Sequence, residues 1–185
     1  PRVLRGAGAA SLKRGIESAR IPFCAPMQMI HGVMLELCEQ GGADYLLLPM
    51  LKALPRVRDE QYAELCPIVL ASPDIVGGVL PEGAPPLVHP YIEVGPKGYG
   101  GRRFRSGMRA LAEQLGSTAR FEHALEAAVQ AQLDFDEECW RIGRQALSFC
   151  ERHDVVPVAV LGRPYTIYND VLNSNVPNLL RSLGA

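Results

Sequence analysis

The run Val155-Val-Pro-Val-Ala-Val-Leu161 is short, apolar and rich in β-branched side chains, and it is followed at once by Gly162-Arg163-Pro164-Tyr165. Such a run reads as a central strand of a parallel sheet, buried on both faces, because exposed strands alternate with polar residues. Residues 45–48 form a second apolar run, closed off by Gly41-Gly42 and Pro49. Residues 67–71 read as a third strand. Residues 87–94 read as a fourth, which Pro90 confines to a sheet edge. Between these runs lie helical patterns at 6–20, 27–40, 106–115 and 119–153, with another restarting at 173–183. The implied class is α/β.

Turn chemistry sharpens this outline. Ser72-Pro73-Asp74 supplies a capping residue, a first-turn proline and a first-turn acid, and Gly77-Gly78 limits the helix that follows to about one turn. Residues 49–64 read as a polar excursion, and residues 80–101 as an extended connector dense in Pro and Gly. The pattern at 119–153 would make a helix about 50 Å long. Asp134-Phe-Asp136 is its expected interruption, and a helix of that length is expected to span two lobes. Three segments follow: 1–100 as an α/β lobe, 101–153 as a helical connector and 154–185 as the start of a second lobe. The chain starts without Met and stops just after a helical pattern, so it is expected to be a piece of a larger two-lobed protein.

Five cysteines without regular short spacing do not make a secreted disulfide framework, and a reducing cytoplasm is expected. Cys24 and Cys66 stand apart from the rest, because each lies beside prolines where the chain changes direction. Cys38 falls on the helical stripe Met27, Ile30, Met34, Leu37 and reads as core. Cys150 falls on the stripe Val129, Leu133, Trp140, Leu147, with Cys139 beside it, and both also read as core. A net charge of −1 argues against a nucleic-acid surface or a basic membrane-binding face. No segment reaches the roughly 20 apolar residues of a bilayer span, and no secretory signal is expected.

Two positively charged features have alternative readings. At the end of the last strand, Gly162 would let a ligand approach, Arg163 would offer a bidentate fork and Pro164 would hold the backbone extended. Otherwise, Arg163 caps a neighbouring helix. The run Lys97-Gly-Tyr-Gly-Gly-Arg-Arg-Phe-Arg105 either grips a phosphate or is a solvated loop, and its lack of a Walker pattern favours the loop.

The segment Gly162-Arg-Pro-Tyr165, with Tyr168, Asn173 and Pro177 beyond it and Asn169 where the motif has Asp, closely resembles a motif of proteins related to 2-hydroxyacyl-CoA dehydratases and their activases. Cys24-x-Pro-x-x-x-x-His31-Gly32 and Cys66-Pro67 look like the same family's earlier cysteine motifs. The resemblance implies cytoplasmic proteins with flavodoxin-like parallel-sheet lobes and a four-iron, four-sulfur cluster used in one-electron transfer. It implies Cys24 and Cys66 as cluster ligands, His31 just inside the helix after the first ligand, and Arg163 and Tyr165 lining a cleft. A third thiolate ligand is not located: it lies beyond Ala185, or another subunit supplies it, or the chain carries no cluster.

Three functions remain open at this stage. One is an iron–sulfur redox component for dehydration of a 2-hydroxyacyl-CoA, with ATP hydrolysis carried by a separate activase domain or subunit, since no ATP-binding signature is present. The second is a cluster-free module that binds CoA through Arg163 and residues 97–105. The third is a structural lobe of a multidomain activase.

Overall fold

A computed structural model of the chain describes residues 8–19, 21–56 and 59–184. They form an α/β structure that divides into two compact units, Pro1–Phe121 and Glu122–Ala185. The first unit carries all of the strands among the described residues.

Helix α1 (Ala9–Ser18) and helix α2 (Ala25–Gln40) come first, followed by strands β1 (Leu46–Leu47) and β2 (Met50–Pro55). Two short helices, α3 (Pro67–Leu70) and α4 (Ser72–Gly77), lead to β3 (Leu87–Val88) and β4 (Tyr91–Gly95). A 3-10 turn (Gly98–Gly100) then opens into α5 (Arg102–Gln114). The strands pair in parallel, β1 with β3 and β2 with β4. Leu46 stands opposite Leu87 and Met50 opposite Tyr91, so both pairs keep one register. Backbone bonds from Leu48 to Val88 and from Met50 to Pro90, both 3.0 Å, carry the pairing across the gap occupied by Pro49 and Pro90. The two small sheets therefore act as one twisted parallel ribbon, shifted by a bulge between Leu51 and Ala53.

One face of the ribbon is covered by α2 and α4. Met27, Met34, Leu46 and Val76 form the buried cluster there, and Ile30, Leu37, Cys38 and Leu87 pack around it. The stripe Met27, Ile30, Met34, Leu37, Cys38 is thus the core face of α2. A different face of the same helix meets α1. A Cβ on Gly32 would lie 2.7 Å from the Ser11 carbonyl carbon, and one on Gly15 would lie 2.5 Å from the Gln28 carbonyl carbon. The two backbones touch at a pair of glycines. Ser11 donates to Glu36 at 3.0 Å and Arg14 forms a two-pronged pair with Glu39 across the same crossing. Helix α5 seats on β4 in a similar way: a Cβ on Gly107 would lie 2.5 Å from the Tyr91 carbonyl oxygen.

The second unit holds α6 (Phe121–His153) from its second residue on, α7 (Pro164–Ile167) and α8 (Val176–Ser182). Helix α6 is continuous, so Asp134-Phe-Asp136 does not interrupt it. Gln130 donates to Asp134 at 2.7 Å and Gln132 to Asp136 at 2.9 Å, and these i,i+4 bonds keep both carboxylates from competing for the helix backbone.

Three other expectations are corrected. Residues 67–71 are not a strand but α3, since Pro67 at the first helical position is preorganised to start a helix and Ala71 N bonds back to Pro67 O at 2.9 Å. Residues 49–64 are not all excursion, because β4 gives 50–55 a parallel partner and Leu65 N then bonds back to Lys52 O. Residues 155–161 are extended but are not a strand. Among the described residues no strand lies in their unit to complete a ladder, and Val156, Val158, Val160 and Leu161 stand exposed. Residues 57 and 58, inside the expected excursion, lie outside the described residues, as do residues 6, 7 and 20 of the first expected helix.

Candidate functional site

Cys24 and Cys66 occupy equivalent positions in two helices. Cys24 is the N-cap of α2 with φ −61° and ψ 154°, and Pro26 lies in the first turn. Cys66 is the N-cap of α3 with φ −55° and ψ 134°, and Pro67 lies in the first turn. In each case the carbonyl closes the first turn: Met27 N to Cys24 O is 2.9 Å, and Val69 N to Cys66 O is 2.9 Å. Neither sulfur makes a capping hydrogen bond. Phe23, just before the first cysteine, and Ile68, two residues past the second, both pack on the Met27, Met34, Leu46, Val76 cluster. Cys24 is exposed and Cys66 half-buried.

The other cysteines differ. Cys38 is half-buried against the core, and burial, reinforced by the Glu39 carboxylate, pushes its thiol up. Cys150 is half-buried, whereas Cys139 is exposed on α6 and is not a core residue, since its side of the helix carries no neighbouring element to cover it.

His31 is 1% exposed. Its Nδ1 is 2.8 Å from Met27 O, one turn back along α2, and its ring stacks on Phe23 at 5.9 Å. His31 therefore helps fix the chain just before Cys24 from inside the core. Gly32 is the crossing point with α1. Both residues of the His31-Gly32 pair thus have packing roles that support the helix headed by Cys24.

In the second unit, Arg163 is the N-cap of α7, and its Nη1 donates to Tyr165 Oη at 2.7 Å. The two side chains that sequence reading assigned to a cleft are bonded to each other. Beyond them, Asn169 Oδ1 accepts from Val171 N and Leu172 N at 3.0 and 3.1 Å. Asn173 Nδ2 donates to Ile167 O at 2.8 Å, while its Oδ1 accepts from Asn175 N at 2.8 Å. Ser174 and Asn175 both have positive φ, 53° and 60°, and Asn173 ties both sides of that reversal together. The asparagines are therefore turn builders.

The basic run at 97–105 resolves into a 3-10 turn and the start of α5. Arg103 is held by Glu93 through bonds of 2.7 and 2.9 Å. Arg102 and Arg103 line a groove with Tyr91, Ser106, Gly107 and Leu111, where α5 lies along β4. Sequence reading flagged the charges but not the groove, because Tyr91 reaches it only through the pairing of β4.

Thiolate sulfur suits iron, and Cys24 and Cys66 supply two such donors on rigid helix ends. Among the described residues no group of three or more His, Cys, Asp or Glu is arranged to hold a metal ion. The described residues therefore do not by themselves complete a cluster site. No helix among them is long and apolar enough to cross a membrane. The sequence matches the family described as CoA enzyme activase uncharacterised domain over residues 7–185. No curated protein and no solved structure matches it.

Proposed function

We propose, from the premise that this chain belongs to the CoA enzyme activase uncharacterised domain family, that it is an iron–sulfur redox component acting with an ATP-dependent activase on a 2-hydroxyacyl-CoA dehydrating system. Cys24 and Cys66 are its cluster ligands, and the remaining ligands come from outside the described residues. The observation that supports this reading is the shared setting of the two cysteines. Each heads a helix as its N-cap, with ψ 154° at Cys24 and 134° at Cys66, and neither sulfur is used as a cap. A helix N-terminus carries partial positive charge, which suits an anionic ligand sulfur; α2, with 16 residues, supplies it more fully than the four-residue α3. When bound, a four-iron, four-sulfur cluster supplies single electrons. This chain's own part is to hold two sulfurs rigidly: His31 and Phe23 fix the approach to Cys24, and Ile68 anchors the turn after Cys66.

Iron and acid-labile sulfide, measured after anaerobic purification, test this. Cys24→Ser and Cys66→Ser should lose iron while Cys38→Ser keeps it. Equal loss in the Cys38 variant, or no iron in the wild type with its activase present, would overturn the assignment.

A second reading is a cluster-free module that binds the phosphates of CoA. It is favoured by the Arg163–Tyr165 pair, which holds a guanidinium in place at a helix start. Arg163→Lys should then weaken CoA binding in a salt-sensitive way, because Lys lacks the planar fork.

A further inference from the structure

Helix α6 carries an apolar seam that its own unit leaves uncovered. Leu133, Trp140 and Leu147 recur every seven residues and are 48%, 57% and 55% exposed. Val129, Asp136, Gly143 and Cys150 fall between them at the alternating spacings of four and three that a paired helix presents to its partner. The one acid in this seam, Asp136, is bonded to Gln132 at 2.9 Å.

Charge along the helix is divided end to end. Up to Glu138 the helix carries Glu122, Glu126, Asp134, Asp136, Glu137 and Glu138 and no Lys or Arg; beyond it come Arg141, Arg144 and Arg152 against the single acid Glu151. The helix dipole accounts for charges in the first and last turns only, since its effect fades within a turn of each end. It does not account for Glu137 and Arg144. These two lie beside the seam on either side of Trp140, at the flanking position that pairs with itself in an antiparallel arrangement.

From this we infer that the α6 seam is an interface between two copies of this chain, packed antiparallel about Trp140. Glu137 of one copy meets Arg144 of the other, twice over by symmetry. A parallel pairing would set the acidic halves against each other, and only the antiparallel one makes the helix complementary to itself. The second apolar line, Phe135, Ile142 and Phe149, lies on the opposite side of the helix and is not part of this interface.

Light scattering on the full chain, over a wide concentration range, reads the result directly. The wild type should be a dimer. Trp140→Glu should raise the dimer dissociation constant about thirtyfold or more, as loss of a central aromatic anchor does. Ile142→Glu should leave it unchanged. Glu137→Arg should weaken the dimer, and Glu137→Arg combined with Arg144→Glu should restore it. Helix content by circular dichroism checks that each variant is folded, and a helical variant set is obtained because all four positions are on the exposed surface of α6. A wild type that stays monomeric, a Trp140→Glu protein that stays dimeric, dissociation by Ile142→Glu instead, or a double reversal that fails to restore pairing would each overturn the proposal.

Discussion

Replacing Cys24 by serine changes two properties in opposite directions. A hydroxyl at an N-cap accepts a hydrogen bond from the second or third helical N–H, and replacing such a cap by a non-capping residue costs about 0.5–2 kcal/mol. At Cys24 the backbone already has suitable extended dihedrals, and the sulfur makes no capping bond. The second helical residue is Pro26, which has no N–H, and the third, Met27, already donates to Cys24 O at 2.9 Å. Only a shared bond to Met27 is open to the new hydroxyl. The gain belongs at the low end, about 0.5 kcal/mol, which is a rise of roughly 1–2 °C in Tm for a chain of this size. Iron content should meanwhile fall to background. Urea denaturation of the metal-free proteins gives the first readout and anaerobic iron analysis the second. A Cys24→Ser protein destabilised by more than about 1 kcal/mol would show that the sulfur packs structurally. Loss of iron from such a protein would then say nothing about ligation.

Four other outcomes follow from the packing. Gly32→Ala places a methyl group against the Ser11 backbone, so α1 and α2 must part; net destabilisation of about 1–3 kcal/mol is expected by urea denaturation. Gly143→Ala meets nothing within 4 Å in its own chain and, measured on the dilute monomer, should stabilise α6 by about 0.5–1 kcal/mol, so a similar loss at both glycines there would refute the crossing. The Arg14 guanidinium, through its hydrogen bonds, holds the Glu39 carboxyl below its usual value. A depressed folded value means the stabilising effect is present above the unfolded carboxyl value near 4.5 and disappears as pH falls through the folded one; an NMR titration in which Arg14→Ala left the Glu39 midpoint unmoved would contradict the pairing. Asn173→Ala removes both bonds that close the reversal at 174–175 and should speed amide exchange across residues 167–175, with α2 unaffected.

Local signals carried much of the fold. The stripe Met27, Ile30, Met34, Leu37, Cys38 is the face of α2 that packs on the core, and Gly77-Gly78 ends α4 as expected, whereas Ser72 is not its cap: Ala71 is the N-cap, and Ser72 Oγ donates to Val69 O at 2.8 Å. What was not legible depends on partners distant in sequence. Residues 50–55 become a strand only because 91–95 lie beside them, and residues 155–161, rich in β-branched side chains but interrupted by Pro157, form no ladder among the described residues of their unit. Gly15 and Gly32 lie inside two helices, and nothing in the local sequence marks them as contact points. Their role as a crossing appears only when the helices are side by side.

The same distinction separates the residues that resemblance singled out. His31 and Gly32 have structural work, one in the core and one at a helix crossing, and Asn169 and Asn173 build a turn. Each of these has a packing or turn role that needs no chemistry to explain it. Cys24 is different, because an exposed sulfur at an N-cap gives the helix nothing that serine would not give better. Cys66 repeats that choice at the head of a second helix on the same core cluster. On the proposed function, these two positions carry cysteine for its sulfur rather than for capping, which the iron content of the Cys24→Ser and Cys66→Ser proteins decides. The case for thiolate chemistry therefore rests on these two cysteines, and the residues around them serve to hold the helices that present them.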